Sequence, residues 1–486
     1  MPHLCKSGLL ASMGDNASTS TRAAISHSVA ALLLAASLVV PLVPDHATAE
    51  DTAAQSKTTD GKMLSLTRLV PTLTPVSDYT GELWERSTLI GDPGGLRQKL
   101  YEEGVTFDVT FTQVFQGVAS GGKNKGATGY NGLIDYGFTF DTGKLGLWPG
   151  GLFVFNAQGS LGSKAFLSKA GTISPVNFNS IYPIGRYNTA VLMEYYLMQG
   201  LPWNLSLIVG RVNATNFLDN NRFANNPKNQ FLNAALNNDL LFGGFLTFSM
   251  YGALLSWQAT KNLIIAFAVY DPTVAPPHYG ARNGLFSKVG VASQIEYSWE
   301  FGDKLGGTVR PVFLWTSKEA GALDNPFLVP GIITGSVPQK PDNWIIHLNF
   351  EQYLWKPDIS PNASSQVRTA SFDFQEPGLG LFFRFGYTPE DRNPWNIYVG
   401  GGIGGRGVVP GRPYDRFGLG VYTMIESGDL DKQPGNLLGD EVGVEAFYNF
   451  AITPWLQLTA DFQWVSSGQT AVGDTFIPGF RVMTRF

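Results

Sequence analysis

An alternation of apolar and polar residues recurs along most of this 486-residue chain. In VTFDVTFT, which starts at Val105, every second residue is apolar and the residues between are Thr or Asp, as in a strand with one apolar face. The pattern predicts sixteen strands, near residues 105–116, 130–141, 151–159, 190–198, 203–211, 244–257, 262–270, 288–301, 306–317, 343–356, 378–387, 395–403, 413–426, 440–451, 455–465 and 475–486. No amphipathic helix of useful length separates them, which excludes parallel βαβ units and leaves an antiparallel meander.

The polar faces of these strands indicate a membrane barrel. They carry Thr, Gly, Asn and Gln with isolated charges, and charged residues make up only 15% of the chain, against roughly 25% in ordinary globular proteins. A barrel turns its apolar face to lipid and its mixed face to a wet lumen, with aromatic residues near the strand ends. Nine tryptophans occupy such positions: Trp148, Trp203, Trp257, Trp299, Trp344, Trp355, Trp395, Trp455 and Trp464. We therefore predict an all-β fold, a 16-stranded antiparallel transmembrane β-barrel with a short N-terminal helix.

The connections between the predicted strands support this fold, because short and long ones alternate. Short turns are predicted at 199–202, 258–261, 302–305 and 453–454, and long loops at 160–189, 212–243, 271–287 and 318–342. Bacterial barrels have short turns on the periplasmic side and long loops outside. The turn at 357–377 is longer than this pattern expects. Before the first strand, residues 91–104 predict the short helix, with Asp92 as cap and Gly104 as stop.

The N-terminus is predicted to be a targeting segment. An apolar run at 29–44 follows basic residues and precedes the A-x-A sequence at 47–49, as in a cleavable signal peptide. An uncleaved anchor is the alternative, but this run is short for a bilayer span and contains two prolines. We predict a signal peptide at 1–49, with Met13 as a second candidate start, a polar flexible segment at 50–80 and the barrel at 81–486.

The last residues, PGFRVMTRF, alternate up to Phe486 and predict the closing strand. An open strand edge in lipid would leave backbone groups without hydrogen bonds, so this strand is expected to pair with the first. A final strand that ends in Phe also resembles the signal read by the outer-membrane assembly machinery, which is therefore an expected partner. The net charge of −5 gives no support for nucleic-acid binding.

Three stretches resemble the carbohydrate-selective porins of the OprB family. They are GDPGGLRQKLYEEGVTFDVTFTQVFQGVASGG at 91–122, GGIGGRGVVPGRPYDRFGLGVYTMIES at 401–427 and EVGVEAFYNFAITPWLQLTADFQWVSSG at 441–468. The resemblance implies a sixteen-stranded barrel in the outer membrane of a Gram-negative bacterium that lets sugars diffuse in. It also implies a constriction lined by arginine, acidic and aromatic side chains. The chain departs from the family pattern at 458–461 and 465–468, and its loops at 160–189 and 212–243 have no clear match.

Candidate pore-lining residues are charged side chains on the polar faces, since carboxylates and guanidinium groups exchange hydrogen bonds with sugar hydroxyls. The candidates for substrate binding are Arg310, Arg384, Glu296, Glu351, Arg211, Asp108, Glu194, Glu445 and Arg481. For each one, a lumen wall residue that is merely solvated or paired across strands is the alternative. Arg211 lies on an apolar face, so it is either beyond the lipid zone or re-aimed by a bulge, from where it could reach the constriction. The Asn-rich loop 212–243 is either folded inside the barrel or exposed at its surface.

These observations predict a porin for passive diffusion of small neutral sugars such as glucose, with outer-membrane lipid around it and no cofactor or metal. A general diffusion porin of the same fold is the main alternative. An outer-membrane hydrolase that uses His347 as a base and a secreted all-β binding protein are the alternatives from other classes. Whether the barrel is a monomer or a trimer stays open.

Overall fold

The structure, a computed structural model, describes residue 79 and residues 81–163, 165–183, 190–273, 285–302, 305–357 and 376–486. The predicted signal peptide at 1–49, nearly all of the polar segment at 50–80 and most of the predicted turn at 357–377 lie outside the described residues.

The described residues form a closed barrel of sixteen antiparallel strands, which confirms the predicted fold class. The strands are β1 Val105–Gly117, β2 Thr128–Asp141, β3 Gly151–Gly162, β4 Ala190–Leu201, β5 Leu205–Val212, β6 Met250–Gln258, β7 Leu263–Tyr270, β8 Gly290–Phe301, β9 Leu305–Thr316, β10 Asn343–Trp355, β11 Gly378–Tyr387, β12 Trp395–Arg406, β13 Arg416–Glu426, β14 Glu441–Ala451, β15 Leu456–Ser466 and β16 Thr475–Arg485. Each strand pairs with its neighbours in sequence, and β16 pairs with β1 from Thr110↔Arg485 to Gln116↔Gly479. Closure therefore removes both edges of the sheet, as lipid requires.

All sixteen strands lie where the alternation predicts them, but the predicted start of β6 at residue 244 is wrong. The strand begins at Met250, and Leu240–Gly244 form a 3-10 turn. Phe245 and Leu246 are buried, where they pack with the preceding loop. Alternating apolar residues in that loop imitate the period of a strand, which explains the error.

The helical elements are short. They are α1 Leu96–Glu102, α2 Ala165–Ala170, α3 Ala234–Asn237, α4 Leu328–Thr334 and α5 Gly428–Asp431, with 3-10 turns at Pro93–Gly95, Phe178–Ile181, Ala214–Asn216 and Leu240–Gly244. The two-residue strands Ala320–Gly321 and Gln339–Lys340 also pair with each other. In the part of the chain that the structure describes, no helix has both the length and the apolar character needed to cross a membrane.

Four long connections lie at one end of the barrel and the shortest turns at the other, whereas the long connection between β10 and β11 departs from this pattern. We call the end that carries the connections 163–189, 213–249, 271–289 and 317–342 the outer rim, and the opposite end, where α1 lies, the inner rim. Outward-facing apolar side chains, such as Phe267 and Phe462, are exposed on the wall between the rims. Inward-facing polar side chains are buried, because loops described below fill much of the lumen.

Helix α1 fastens the inner rim where β1 meets β16. Asp92 Oδ1 accepts a hydrogen bond from the amide of Arg97 at 2.7 Å, so Asp92 caps the helix from outside its first turn. The Arg97 side chain is buried, and its Nη2 donates to the carbonyl oxygen of Phe486 at 2.9 Å. Its guanidinium also lies 4.7 Å from the ring centre of Tyr79 and 4.4 Å from that of Phe107. This arginine therefore ties the N-terminal segment to the closing strand.

We expect Arg97→Met to lower the free energy of unfolding by about 1–3 kcal/mol, because a buried hydrogen bond from a charged donor is lost. The measurement is urea unfolding of the refolded protein, followed by the gel-mobility difference between folded and unfolded barrels. Lys99→Met on the exposed side of the same helix is the matched control. Equal midpoints for the two variants would contradict the role of Arg97.

Candidate functional site

Two loops from the outer rim fold into the lumen. We call residues 213–249, between β5 and β6, the inserted segment, and residues 165–183, between β3 and β4, the companion segment. The inserted segment carries apolar anchors that are almost fully buried: Phe217, Phe223, Phe231, Leu236 and Phe242. They pack in one cluster with inward-facing side chains of the wall, including Tyr353, Tyr398 and Phe447. The structure thus places the Asn-rich loop inside the barrel.

Glycines in β11–β13 make room for these anchors. A Cβ atom added to Gly380 would lie 2.1 Å from the Phe223 ring, and one added to Gly418 would lie 2.7 Å from the Phe231 ring. Real Cβ contacts are never this short, so any other residue would displace the inserted segment. The glycines of these strands therefore leave a part of the wall without side chains, and the inserted segment packs directly against it.

Glutamates of the wall hold the two segments by their backbone amides. The contacts are Glu194 Oε1 with the Asn213 amide at 2.8 Å, Glu351 Oε2 with the Arg222 amide at 2.6 Å, Glu445 with the Leu232 and Asn233 amides at 2.5 and 2.8 Å, and Glu441 with the Ile173 and Ser174 amides at 2.6 and 2.7 Å. Irregular backbone inside a barrel needs partners for its amides, and charged acceptors make the strongest ones. These carboxylates therefore hold both segments inside the lumen.

Asp219 of the inserted segment is the centre of a fully buried polar network. Its Oδ1 accepts from Arg384 Nε at 2.7 Å and from Asn349 Nδ2 at 2.5 Å, and lies 3.1 Å from His347 Nε2. The other ring nitrogen of His347 faces Asp239 Oδ2 at 2.9 Å. Burial alone would raise the pKa of Asp219, but Arg384 and His347 outweigh it and hold that pKa below its usual range. Asp219 is therefore a charged anchor of the segment.

Residues 222–228 of the inserted segment cross the lumen. At one end Arg222 lies beside Glu351 on β10, with 3.5 Å between the charged groups. At the other end the Pro227 carbonyl accepts from Arg481 on β16 at 2.8 Å, and Lys228 Nζ lies 3.1 Å from Asp135 Oδ2 on β2. The segment therefore narrows the lumen between walls on opposite sides.

Accessible charges along this crossing stand in ion pairs. The side chains of Arg222 and Lys228 are each 33% exposed. Arg310 on β9 pairs with Glu296 at 2.8 Å and with Glu351 at 3.1 Å, and Glu296 keeps 22% of its side chain exposed. The groups that face the remaining space are thus the cations of Arg222 and Lys228 and the carboxylate of Glu296, while Glu351 is fully buried and the Asp135 side chain is 9% exposed.

A sequence profile of the carbohydrate-selective porins, the OprB family, matches residues 125–486. The chain belongs to the OprB family. The match covers two of the three resembling stretches, and the stretch at 91–122 lies before it. No curated protein sequence matches this chain.

The solved structure of Pseudomonas putida OprB has the same fold. Pseudomonas putida OprB at high pH has a TM-score of 0.70 at 18% identity, over 84% of this chain and 100% of that one. The low-pH structure of the same protein has a TM-score of 0.50 at 16% identity, over 83% of this chain and 99% of that one. Pseudomonas aeruginosa OccK11 (OpdR) is more distant, with a TM-score of 0.42 at 11% identity over 79% and 98%.

Membership in the OprB family indicates the Gram-negative outer membrane and a channel rather than an enzyme. The alternative of a secreted all-β binding protein is therefore set aside. The hydrolase alternative depended on His347 as a free base. In this OprB-family barrel both ring nitrogens of His347 face carboxylates, and the residue is fully buried.

The structure brings together seven of the nine candidate residues. Arg384, Glu351, Glu194, Glu445 and Arg481 contact the inserted segment directly, and Arg310 and Glu296 join it through Glu351. Asp108 is half-buried on the inner face of β1, with no hydrogen bond to either segment among the described residues. Arg211 lies on the outward-facing side of β5. Most candidates thus anchor the inserted segment to the barrel wall.

Sequence reasoning missed the residues that the inserted segment itself contributes, chiefly Asp219, Arg222 and Lys228, and the wall partner Asp135. An irregular loop has no period from which the direction of a side chain can be read. The one available signal was its composition, since charged residues among many asparagines, together with recurring apolar anchors, indicate a segment with a buried side and a solvated side.

Proposed function

We propose that this porin lets small neutral sugars, including monosaccharides such as glucose, diffuse passively through the constriction formed by the inserted segment. The observation that carries the proposal is that charges of both signs stay accessible at this crossing, Arg222 and Lys228 as cations and Glu296 as a carboxylate. A sugar hydroxyl both donates and accepts, so it can bond to a carboxylate or to a cation there. A charged solute would meet repulsion from the groups of its own sign.

The expected contacts are weak enough for transport. One hydrogen bond of this kind contributes about 1 kcal/mol net, because the sugar gives up its bonds to water. A channel conducts only if its sites release the solute as readily as they bind it. Several weak contacts along residues 222–228 therefore support selection with rapid passage, and we expect no cofactor to take part.

Single-channel recording of the refolded protein in a planar bilayer, with glucose or other sugars added to the salt, tests this function. We expect millimolar sugar to block the ion current reversibly. Conductance steps that no sugar affects would favour a general diffusion porin of the same fold. Absence of steps from correctly folded protein would overturn the channel proposal.

Breaking one ion pair is expected to change ion selectivity. Lys228→Met leaves the Asp135 carboxylate unpaired and should make the pore cation-selective, whereas Asp135→Asn leaves Lys228 and should make it anion-selective. The reversal potential in a salt gradient should then shift in opposite directions for the two variants, and the double variant should return near the wild-type value. Shifts in the same direction would contradict the pairing.

A further inference from the structure

Arg211 lies on the outward-facing side of the barrel wall, beside the outer-rim end of β5. It shares this face with Val209, which is 46% exposed, and its cross-strand partners are Tyr195 on β4 and Tyr251 on β6. An arginine on the lipid-facing side is costly at the middle of the bilayer and tolerated near the headgroups. Arg211 lies one residue before the end of β5, on the outer-rim side, where we expect the headgroups.

The guanidinium of Arg211 is buried and incompletely paired. The residue is 1% exposed, its Nε donates to Ser249 Oγ at 2.6 Å, and its Nη2 has no hydrogen-bond partner among the described residues. The Ser249 hydroxyl in turn donates to the Met193 carbonyl at 2.5 Å, which fixes the arginine in place. A buried charged donor without an acceptor is unfavourable, and an anion that reached it would relieve this cost.

Two tyrosines cover the guanidinium. The hydroxyls of Tyr195 and Tyr251 lie 2.5 Å apart and share one hydrogen bond, and both side chains are partly exposed on the outer wall. The Arg211 Cζ lies 5.6 Å from the Tyr251 ring centre. An acceptor that replaced the bond between the two hydroxyls, with the rings moved apart, would receive a hydrogen bond from each and would approach the cation behind them. Tyrosine is also the residue type that barrels place at the membrane interface.

We propose that Arg211, Tyr195 and Tyr251 bind a phosphate group on the headgroup of an outer-leaflet glycolipid. The site faces lipid rather than the lumen, and exposed apolar side chains continue from it toward the inner rim along β5 and β6, at Val209, Leu255 and Trp257. A phosphate oxygen between the tyrosines and an acyl chain along these side chains match one amphipathic molecule. Anionic headgroups are attracted to basic side chains at the membrane surface.

Native mass spectrometry of the full-length porin in detergent tests the proposal, with a bisphosphorylated glycolipid as the probe. We expect Arg211→Gln to weaken binding of this lipid about tenfold, which is typical for loss of a hydrogen bond to a charged group. Tyr195→Phe/Tyr251→Phe keeps the charge and should weaken binding less, so it tests the site even if Arg211→Gln fails to fold. The same glycolipid without its phosphates should bind as weakly to wild-type protein as the phosphorylated lipid binds to Arg211→Gln.

Arg412→Gln is the matched control. Arg412 lies 3.8 Å from the ring centre of Phe450 near the inner rim, and its guanidinium is paired with Asp415 at 2.7 and 2.9 Å. This variant should bind the glycolipid like wild-type protein. Equal binding by wild-type and Arg211→Gln protein would overturn the proposal, as would equal binding of the lipid without phosphates.

Two further outcomes would overturn the assignment to lipid. Displacement of the glycolipid by inorganic phosphate at equal concentration would show that the site takes phosphate from solution. A change in the number of protein copies per particle in Arg211→Gln, with unchanged lipid adducts, would show that the arginine meets a second copy of the chain. The same spectra report both results.

Discussion

Replacing residues 216–246 with a short glycine–serine linker is expected to raise the single-channel conductance severalfold and to abolish block by sugars. The inserted segment crosses the lumen from Arg222 at β10 to Lys228 at β2, and its anchors fill the space over β11–β13. Without it, water refills the lumen and resolvates wall carboxylates such as Glu351 and Glu445. The barrel should still fold, because every strand pairs with its neighbours independently of the segment.

A loop deletion of similar kind outside the lumen is the control for this result. Residues 326–336 include α4 in the connection between β9 and β10, where Phe327 and Ile333 are 68% and 80% exposed. Removing them should leave the conductance unchanged. If the shortened inserted segment gives wild-type conductance while the gel shows folded barrel, residues 213–249 are not the constriction.

The strands of this protein could be predicted because each one meets two different environments. Lipid outside and polar contacts inside impose a period of two on the sequence, and closure follows from the absence of tolerated edges. The start of β6 was misplaced because Phe245 and Leu246 bury themselves in the inserted segment rather than facing lipid. A short apolar run has the same sequence pattern whether its side chains pack inside a loop or face lipid, so the pattern cannot distinguish the two.

Only the part of the site that the barrel strands contribute could be predicted from the sequence. Parity places Glu351, Arg384 and Glu445 inside the barrel, but it cannot distinguish a residue that faces a solute from one that anchors a loop. That distinction depends on where Asp219 and Arg222 lie, and contacts between residues more than a hundred positions apart decide it. Because the loop sequence has no regular period, these contacts could not be predicted from it.

Removing one partner of the buried pair between Asp219 and Arg384 is expected to destabilise the folded porin strongly. Both side chains are inaccessible, and Arg384 also donates to the carbonyls of Leu236 and Ala224, so it joins three parts of the inserted segment to β11. Breaking a buried ion pair by removing one charge costs about 3–5 kcal/mol. We expect a loss of this size in the free energy of unfolding for Arg384→Met, measured by urea unfolding in detergent.

The double variant Asp219→Asn/Arg384→Met should lose less than the sum of the two single variants, because no unpaired charge remains buried. Lys432→Met is the control for an exposed ion pair. The Lys432 side chain is 73% exposed and pairs with Asp429, so its replacement should change the free energy of unfolding by only about 0–1 kcal/mol. Additive losses in the double variant, or a loss for Arg384→Met no larger than for Lys432→Met, would show that the pair does not hold the segment.

Acid should remove the difference between wild-type protein and Asp219→Asn. The pKa of Asp219 is lowered in the folded state, so its stabilising effect is complete above the ordinary aspartate pKa of about 3.9 and is lost as the pH falls through the lowered value. The gap in unfolding free energy between the two proteins should thus shrink in strong acid. A gap that stays unchanged as the pH falls into strong acid would show that Asp219 does not act as a carboxylate, and the charged anchor would have to be abandoned.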